Sequence, residues 1–333
     1  MNARALLSLL FHAEKALDLV QTARELGLLA RLDAGPVTLR ALADATGTLP
    51  NRLYKFLDGL ESLGLVARRE PACDPLAASY VSCEPLVPAA EAVLGERSIE
   101  RDRDAYPWRE IHGRLPEVLA GQLHARFAWP PRSDEEIRGF EHSMAAGCAP
   151  IAEALRDAGP ILFGATPRRW LDVGGGDGAV AAELLSRDSR LRAAVFNLPA
   201  VAPLVSERAR AAGLEERLAF IGGDFLADSL PRGYDVLSFV RVLHDWPADV
   251  ARALLVKARD ALAPGGRVVV CEEFRTRDRL AVQLFWTYFL IGVDECSSRL
   301  REVEWYTEAL ASLGFIEIQV IPGAFDVIVA TRA

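Results

Sequence analysis

The stretch that decides the fold is "LDVGGGDGAV", residues 171–180, which joins an apolar, strand-like segment to a helix-like segment. Its glycines allow a tight turn and let a ligand come close to the backbone. A helix that begins here would also present free N–H groups at its N-terminus. The stretch therefore predicts the first strand–turn–helix unit of an open α/β sheet, with a ligand site at the turn.

Strand-like and helix-like segments alternate after this turn. The predicted strands are "RWLDV", "AAVFNLP", "LAFIGGDF", "YDVLSFVRVL" and "GGRVVVCEEF". An amphipathic helix is predicted over "ADVARALLVKARDAL", and "FIEIQVI" and "FDVIVATR" predict an antiparallel edge pair. Residues 156–333 are thus predicted to form a Rossmann-like α/β domain.

Residues 1–155 are instead predicted to be helical, because β-branched strand-like runs are scarce there. A helix capped at Thr38, a turn at Gly47 and Pro50, a second helix and then "LGLVARRE" form a winged helix-turn-helix pattern. Such a pattern suits either a DNA-reading head or a packing and dimerisation module. Residues 1–98 carry ten Lys and Arg against twelve Asp and Glu, a net charge of −2. DNA binding requires a basic face, so dimerisation is favoured.

Length and composition narrow the class of protein. A chain of 333 residues suggests two domains, and its net charge of −8 argues against nucleic acid or anionic membranes as partners. No apolar run reaches the roughly 18 residues that span a bilayer, and the amino-terminal stretch is expected to be a helix and not a signal peptide. The five widely spaced cysteines, without a C-x-x-C, indicate neither a disulfide framework nor a zinc site. A cytoplasmic location is therefore expected.

Two cofactors compete for the glycine turn. As G-x-G-x-x-A, Gly174, Gly176 and Ala179 could hold a dinucleotide pyrophosphate. As D-x-G-x-G-x-G, the turn fits a ligand without phosphates. Asp172 would repel a pyrophosphate but can accept from an ammonium group, and S-adenosylmethionine has an amino-acid tail and no phosphate. "GGDF" adds Asp224 for an adenine amino group and Phe225 for the ring.

The motifs "LDVGGGDG", "FNLP", "GGDF", "LHDW" and "APGGRVVVCEE" resemble those of S-adenosylmethionine-dependent small-molecule O-methyltransferases, both the plant caffeate type and bacterial natural-product relatives. That family has a helical, winged-helix-like amino-terminal half used for dimerisation, so the resemblance covers nearly the whole chain. It implies a homodimer in which residues 1–155 dimerise and line the acceptor pocket, while residues 156–333 bind the cofactor. The implied acceptor is a hydroxyl of a small, aromatic secondary metabolite.

The resemblance also implies a set of cofactor contacts. These are Asp172, Gly174, Gly176, Asn197, Leu198, Gly223, Asp224, Phe225, Ser238 and Arg241. The chain departs from the family at two of the matching positions. Asn197 stands where the family has aspartate, and Val240 stands where it has lysine. Arg241 is adjacent, but on a strand its side chain would point to the opposite face.

His244, in "RVLHDWP", is the predicted general base, because a phenol with a pKa near 10 must lose its proton during methyl transfer. The resemblance gives it Glu272 as a carboxylate partner and places the family's second glutamate at Leu300. Asp245 is expected to cap the following helix. No spaced His pair is present, so no metal site is predicted.

The acceptor pocket is predicted from two segments. "FEHSMAAGC" contains a methionine, and "QLFWTYFLIG" is rich in aromatic residues. The candidates are Phe140, Met144, Trp286 and Phe289. They suit a planar, apolar acceptor. Three alternatives to O-methylation remain: C- or N-methylation, non-methylating chemistry on the same cofactor site, and a cofactor-sensing regulator that binds DNA.

Overall fold

The protein is described by a computed structural model that forms two compact units, Met1–Asp104 and Ala105–Ala333. The described residues are 2–69, 78–96, 98, 113–124, 131, 133–164, 168–275, 284, 300–323 and 325–333. The predicted boundary between residues 155 and 156 differs from this division. The helix Cys148–Asp157, which precedes the sheet, belongs to the second unit because it packs against the helix Ala179–Arg187 and the strand Asp326–Arg332.

The first unit combines helices with a small antiparallel sheet. Its helices are α1 (Ala3–Phe11), α2 (Ala13–Glu25), α3 (Leu28–Asp33), α4 (Leu39–Thr46), α5 (Pro50–Ser62) and α6 (Leu86–Leu94). Its strands are β1 (Val37–Thr38), β2 (Val66–Arg69) and β3 (Ser79–Ser82), in the order β1-β3-β2. The prediction of an all-helical domain was wrong in this respect, since only β2 was anticipated. β1 has only two residues, too few to show an alternating pattern.

Local signals explain the helix pair α4 and α5. The Thr38 hydroxyl accepts the N–H of Ala41 at 3.2 Å, and Gly47 ends α4 with a φ of 64°. Pro50 begins α5, where its missing N–H costs nothing. Leu53, Leu57 and Leu60 on α5 are buried at helical spacing and form the core with the leucines of α3 and α4.

The second unit is built on a mostly parallel sheet. Its described strands are β4 (Arg168–Val173), β5 (Leu191–Asn197), β6 (Leu218–Gly222), β7 (Val236–Val240), β8 (Arg267–Glu272), β9 (Phe315–Ile321) and β10 (Asp326–Arg332). Their order is β6-β5-β4-β7-β8-β10-β9. β4 to β8 pair in parallel, whereas β10 lies antiparallel to both β8 and β9. This confirms the predicted α/β sheet with its antiparallel edge strand.

Helices surround this sheet. The described ones are α7 (Leu115–Leu119), α8 (Asp134–Ala146), α9 (Cys148–Asp157), α10 (Gly159–Leu162), α11 (Ala179–Arg187), α12 (Ala202–Ala211), α13 (Ala248–Ala261) and α14 (Val303–Ser312). The core between sheet and helices is apolar and includes Leu237, Phe239 and Ile328. The chain reverses its strand order between β4 and β7, which is where open α/β sheets bind ligands at the carboxyl ends of their strands.

Within the described parts of the chain, no helix has both the length and the apolar character needed to cross a bilayer. The same residues bring together no group of three or more His, Cys, Asp or Glu side chains suited to a metal ion.

Candidate active site

The glycine loop follows β4 and contains Gly174, Gly176 and Gly178, whose φ angles are 70°, 57° and 81°. This left-handed backbone region strains residues that carry a Cβ, so glycine is favoured at each position. α11 begins directly after the loop, at Ala179, and the side chain of Asp177 accepts its first N–H at 2.9 Å. The loop therefore connects β4 to α11, as the sequence predicts.

Several side chains lie directly against the glycines of the loop. A methyl group on Gly174 would lie 2.8 Å from Cγ2 of Val242, and one on Gly176 would lie 2.5 Å from Oε2 of Glu141. A methyl group on Gly175 would collide with Oδ2 of Asp172. Glycine is thus needed for space as well as for conformation, and any larger residue would displace the groups that line the loop.

Asp172 lies beneath the loop at the end of a buried hydrogen-bonded chain. Trp170 donates its indole N–H to the Ser238 hydroxyl at 2.7 Å, and that hydroxyl donates to Oδ1 of Asp172 at 2.6 Å. Ser238 therefore uses its hydrogen to hold Asp172. Oδ2 of Asp172 is buried without a hydrogen-bond partner among the described residues. Burial raises the pKa of Asp172 to about 7, although the Ser238 hydrogen bond opposes the rise.

The end of β5 and the loop after β6 form the next part of the site. The main-chain oxygen of Asn197 accepts the N–H of Gly223 at 3.0 Å, and its side-chain oxygen accepts the N–H of Leu198 at 2.8 Å. A side chain on Gly223 would collide with the ring of Phe196, so this position also requires glycine. The three predicted contacts Asn197, Leu198 and Gly223 are therefore neighbours.

Asp224 and Phe225 come directly after Gly223. Oδ1 of Asp224 accepts the N–H of Leu226 at 2.8 Å, which fixes its carboxylate in the turn. The ring of Phe225 packs edge-to-face on Trp246, with 5.9 Å between centroids. A methyl group on Gly174 would lie 3.4 Å from this ring, so Phe225 adjoins the glycine loop.

These residues fit the predicted cofactor. The orphaned oxygen of Asp172 suits an ammonium group, and the half-buried Phe225 offers an apolar face to an adenine ring. The groups that would hold S-adenosylmethionine are thus gathered at the carboxyl ends of β4, β5 and β6.

His244 lies in a 3₁₀ turn, Leu243–Asp245, after β7. Its Nδ1 contacts Oε2 of Glu272, and its Nε2 lies 3.2 Å from Oδ1 of Asp245. The imidazole is 2% exposed and the Glu272 side chain is fully buried. The predicted pairing of His244 with Glu272 is therefore present in the structure.

Glu272, at the end of β8, is held by the turn that carries His244. Its Oε1 accepts the N–H of Val242 at 3.2 Å and that of Leu243 at 2.9 Å. The buried guanidinium of Arg301 secures the same turn, because it donates to the carbonyls of Leu243 and Trp246. The sequence did not single out Arg301, and an arginine next to Leu300 carries no signal for this contact.

The environment of His244 controls its ionisation. Burial lowers the pKa of the imidazole, but the charges of Glu272 and Asp245 outweigh burial and raise it to about 10. The expected cap by Asp245 was wrong, because α13 begins after Pro247 without any side-chain cap. Asp245 instead contacts His244, so the imidazole lies between two carboxylates.

Arg241 departs from the conformation that a strand would give it. β7 ends at Val240, and Arg241 adopts a φ of 56° while its N–H donates to the Cys271 carbonyl at 2.9 Å. Its Nη2 lies 3.6 Å from the sulfur of Met144 on α8. The predicted cofactor residue Arg241 and the predicted acceptor residue Met144 are therefore in contact.

The predicted acceptor residues fall into two groups. Phe140 and Met144 lie one turn apart on α8 and are both half-buried. Trp286 and Phe289 lie outside the described residues. Of the predicted acceptor residues, the structure thus describes only the two on α8.

The chain is similar to known methyltransferases over most of its length. The model of the O-methyltransferase domain family matches residues 103–316. Demethylspheroidene O-methyltransferase of Cereibacter sphaeroides is 32% identical, with 90% of this chain and 78% of that protein aligned. N,N-dimethyltransferase OxyT of Streptomyces rimosus is 34% identical, with 94% of this chain and 91% of that protein aligned.

Solved structures show the same fold. The S-adenosylmethionine-dependent methyltransferase SibL aligns over 98% of both chains with a TM-score of 0.67 and 24% identity. Human N-acetylserotonin methyltransferase, in complex with S-adenosylmethionine, aligns over 100% of this chain and 98% of its own with a TM-score of 0.57 and 23% identity. Sequence and fold agree: the chain belongs to the O-methyltransferase domain family and is an enzyme that uses S-adenosylmethionine.

Proposed function

We propose that this enzyme methylates a hydroxyl group of a small, aromatic secondary metabolite and that His244 is the general base. The observation that carries the proposal is the buried pair of His244 and Glu272 next to the glycine loop. Val242 connects this pair to the glycine loop, because its side chain packs against Gly174 while its N–H donates to Glu272. A base is thereby placed beside the loop that would hold the methyl donor.

S-adenosylmethionine, when bound, supplies the methyl group from a sulfonium centre. The protein must bind the acceptor hydroxyl, remove its proton and exclude water. The charges of Glu272 and Asp245 raise the pKa of the imidazole, which makes it a stronger base towards the hydroxyl of a phenol. Glu272 and Asp245 would then stabilise the imidazolium that holds the proton.

Methylation of nitrogen is the second candidate. OxyT, an N,N-dimethyltransferase by name, aligns with nearly the whole chain. A neutral amine has its own lone pair and needs no base to become a nucleophile. The environment of His244 favours a hydroxyl, because a buried imidazole between two carboxylates is suited to taking up a proton.

We also propose that the first unit is winged-helix-like and dimerises with a second copy of the chain. α4, α5 and the hairpin of β2 and β3 follow the winged-helix order, with β1 added to β3. α1 has no buried residue, and Leu7, Leu10 and Phe11 are 67%, 56% and 83% exposed. Apolar faces of this kind mark association sites. A second copy is the proposed occupant because the net charge of −2 over residues 1–98 disfavours DNA.

Replacing His244 by Ala is expected to lower kcat by about 10²- to 10⁴-fold, because the base is lost. Binding of S-adenosylhomocysteine, measured by calorimetry, should stay at the wild-type level. His124→Ala, an exposed histidine of the same unit, serves as the matched control and should keep wild-type turnover. Near-full turnover by His244→Ala on a hydroxyl acceptor would contradict the proposed base.

Replacing Glu272 by Gln is expected to change the pH dependence of kcat/KM. In the wild type the imidazole must be neutral to act, so kcat/KM should rise with pH from neutrality towards its pKa of about 10. Removing the Glu272 charge lowers that pKa, so the rise should move to lower pH by about one unit or more. Glu304→Gln, an exposed glutamate on α14, should leave the profile unchanged. An unshifted profile in Glu272→Gln would argue against the pair.

Introducing charge into α1 tests the dimer. The double variant Leu7→Glu, Leu10→Glu should elute as a monomer in size-exclusion chromatography with light scattering, whereas the wild type should be a dimer. Leu119→Glu, at a position that is 72% exposed in the second unit, is the control and should remain dimeric. A monomeric wild type, or a dimeric double variant, would refute this interface.

A further inference from the structure

Glu141 on α8 is a buried carboxylate that the sequence analysis did not single out. It is 7% exposed, and its carboxylate lies against the glycine loop. Its Oε2 occupies the space next to Gly176 where a side chain would otherwise lie. Glu141 therefore covers the glycine loop from the side of α8, one helical turn from Met144.

The charge of Glu141 lacks a compensating cation in the described part of the chain. No ion pair there joins it to Lys, Arg or His, and the nearby Arg208 is paired with Asp177. Burial, followed by the charge of Asp177, raises the pKa of Glu141 to about 7. Asp172, which contacts the same loop at Gly175, is likewise buried without a cation. A buried carboxylate without a nearby positive charge destabilises the folded protein. Two such carboxylates at one loop therefore indicate a site for a cationic ligand.

Glu141 also borders open space. A groove of about 850 Å³ between α8 and α12 is lined by Glu141, Asp177 and Arg208, among others. The carboxylate is therefore buried by protein on one side and adjacent to a ligand-sized volume on the other. A purely structural cap for the loop would need neither the missing counter-charge nor this opening.

We propose that Glu141 is a second cofactor-binding carboxylate and that, together with Asp172, it recognises the ammonium group of S-adenosylmethionine. This inference rests on the proposed placement of the cofactor at the glycine loop. An ammonium group has three donors and a full positive charge, so it can satisfy the orphaned oxygen of Asp172 and an oxygen of Glu141. Glu141 thus acts on the amino-acid end of the cofactor and not on the adenine ring or the acceptor.

The test is calorimetric binding to Glu141→Gln, which keeps the size of the side chain and removes only its charge. S-adenosylhomocysteine and decarboxylated S-adenosylmethionine both carry the ammonium group, and each should bind about 10- to 100-fold more weakly than to the wild type. Methylthioadenosine has no amino-acid end and should bind equally well to both proteins. Glu308→Gln, an exposed glutamate on α14, should bind all three ligands like the wild type.

Unchanged or tighter binding of the two ammonium ligands to Glu141→Gln would overturn the proposal. An equal loss for all three ligands would also overturn it, since Glu141 would then support the loop and not the ammonium group. Glu141→Ala provides a second variant that should show the same selective loss, with circular dichroism to verify folding. Failure of the wild type to bind any of the three ligands would refute the cofactor placement itself, independently of Glu141.

Discussion

The buried contact between Glu272 and His244 is the interaction on which the site depends. One carboxylate oxygen of Glu272 contacts the imidazole, while the other accepts two N–H groups of the turn that carries it. The end of β8 is thereby joined to the turn after β7. Because Val242 in that turn packs against Gly174, the same contact also positions the imidazole relative to the glycine loop. Loss of the Glu272 carboxylate would therefore free the imidazole, the turn and one side of the loop together.

The site concentrates negative charge at two places. Asp172 and Glu141 approach the glycine loop as buried carboxylates, and Glu272 and Asp245 enclose His244. Such a site repels a pyrophosphate and favours positive charge in two places, at the amino-acid end of the cofactor and at the imidazole. In the absence of a cation, burial raises the pKa of Asp172 and of Glu141 to about 7. In the proposed binding mode, the ammonium group of the cofactor would offset the cost of burying these two carboxylates.

Much of this arrangement could be predicted from the sequence. Alternating apolar segments and the glycine motif are local signals, so the sheet and its ligand-binding edge followed from them. The pairing of His244 with Glu272 could be predicted only through the family resemblance. The conformation of Arg241 could not be predicted, because a left-handed residue at a strand end breaks the alternation of side chains. Glu141 and Arg301 were missed because each reaches its partners through tertiary packing, which leaves no local pattern.

The central claim is that His244 prepares an oxygen nucleophile. The most direct measurement is ¹³C NMR of the products formed from S-adenosylmethionine labelled in its methyl group, with a panel of acceptors that offer hydroxyl, amine and carbon nucleophiles. The account predicts that the label appears as an oxygen-bound methyl group and that this signal is lost with His244→Ala. Transfer of the label to nitrogen or carbon, undiminished in His244→Ala, would contradict it.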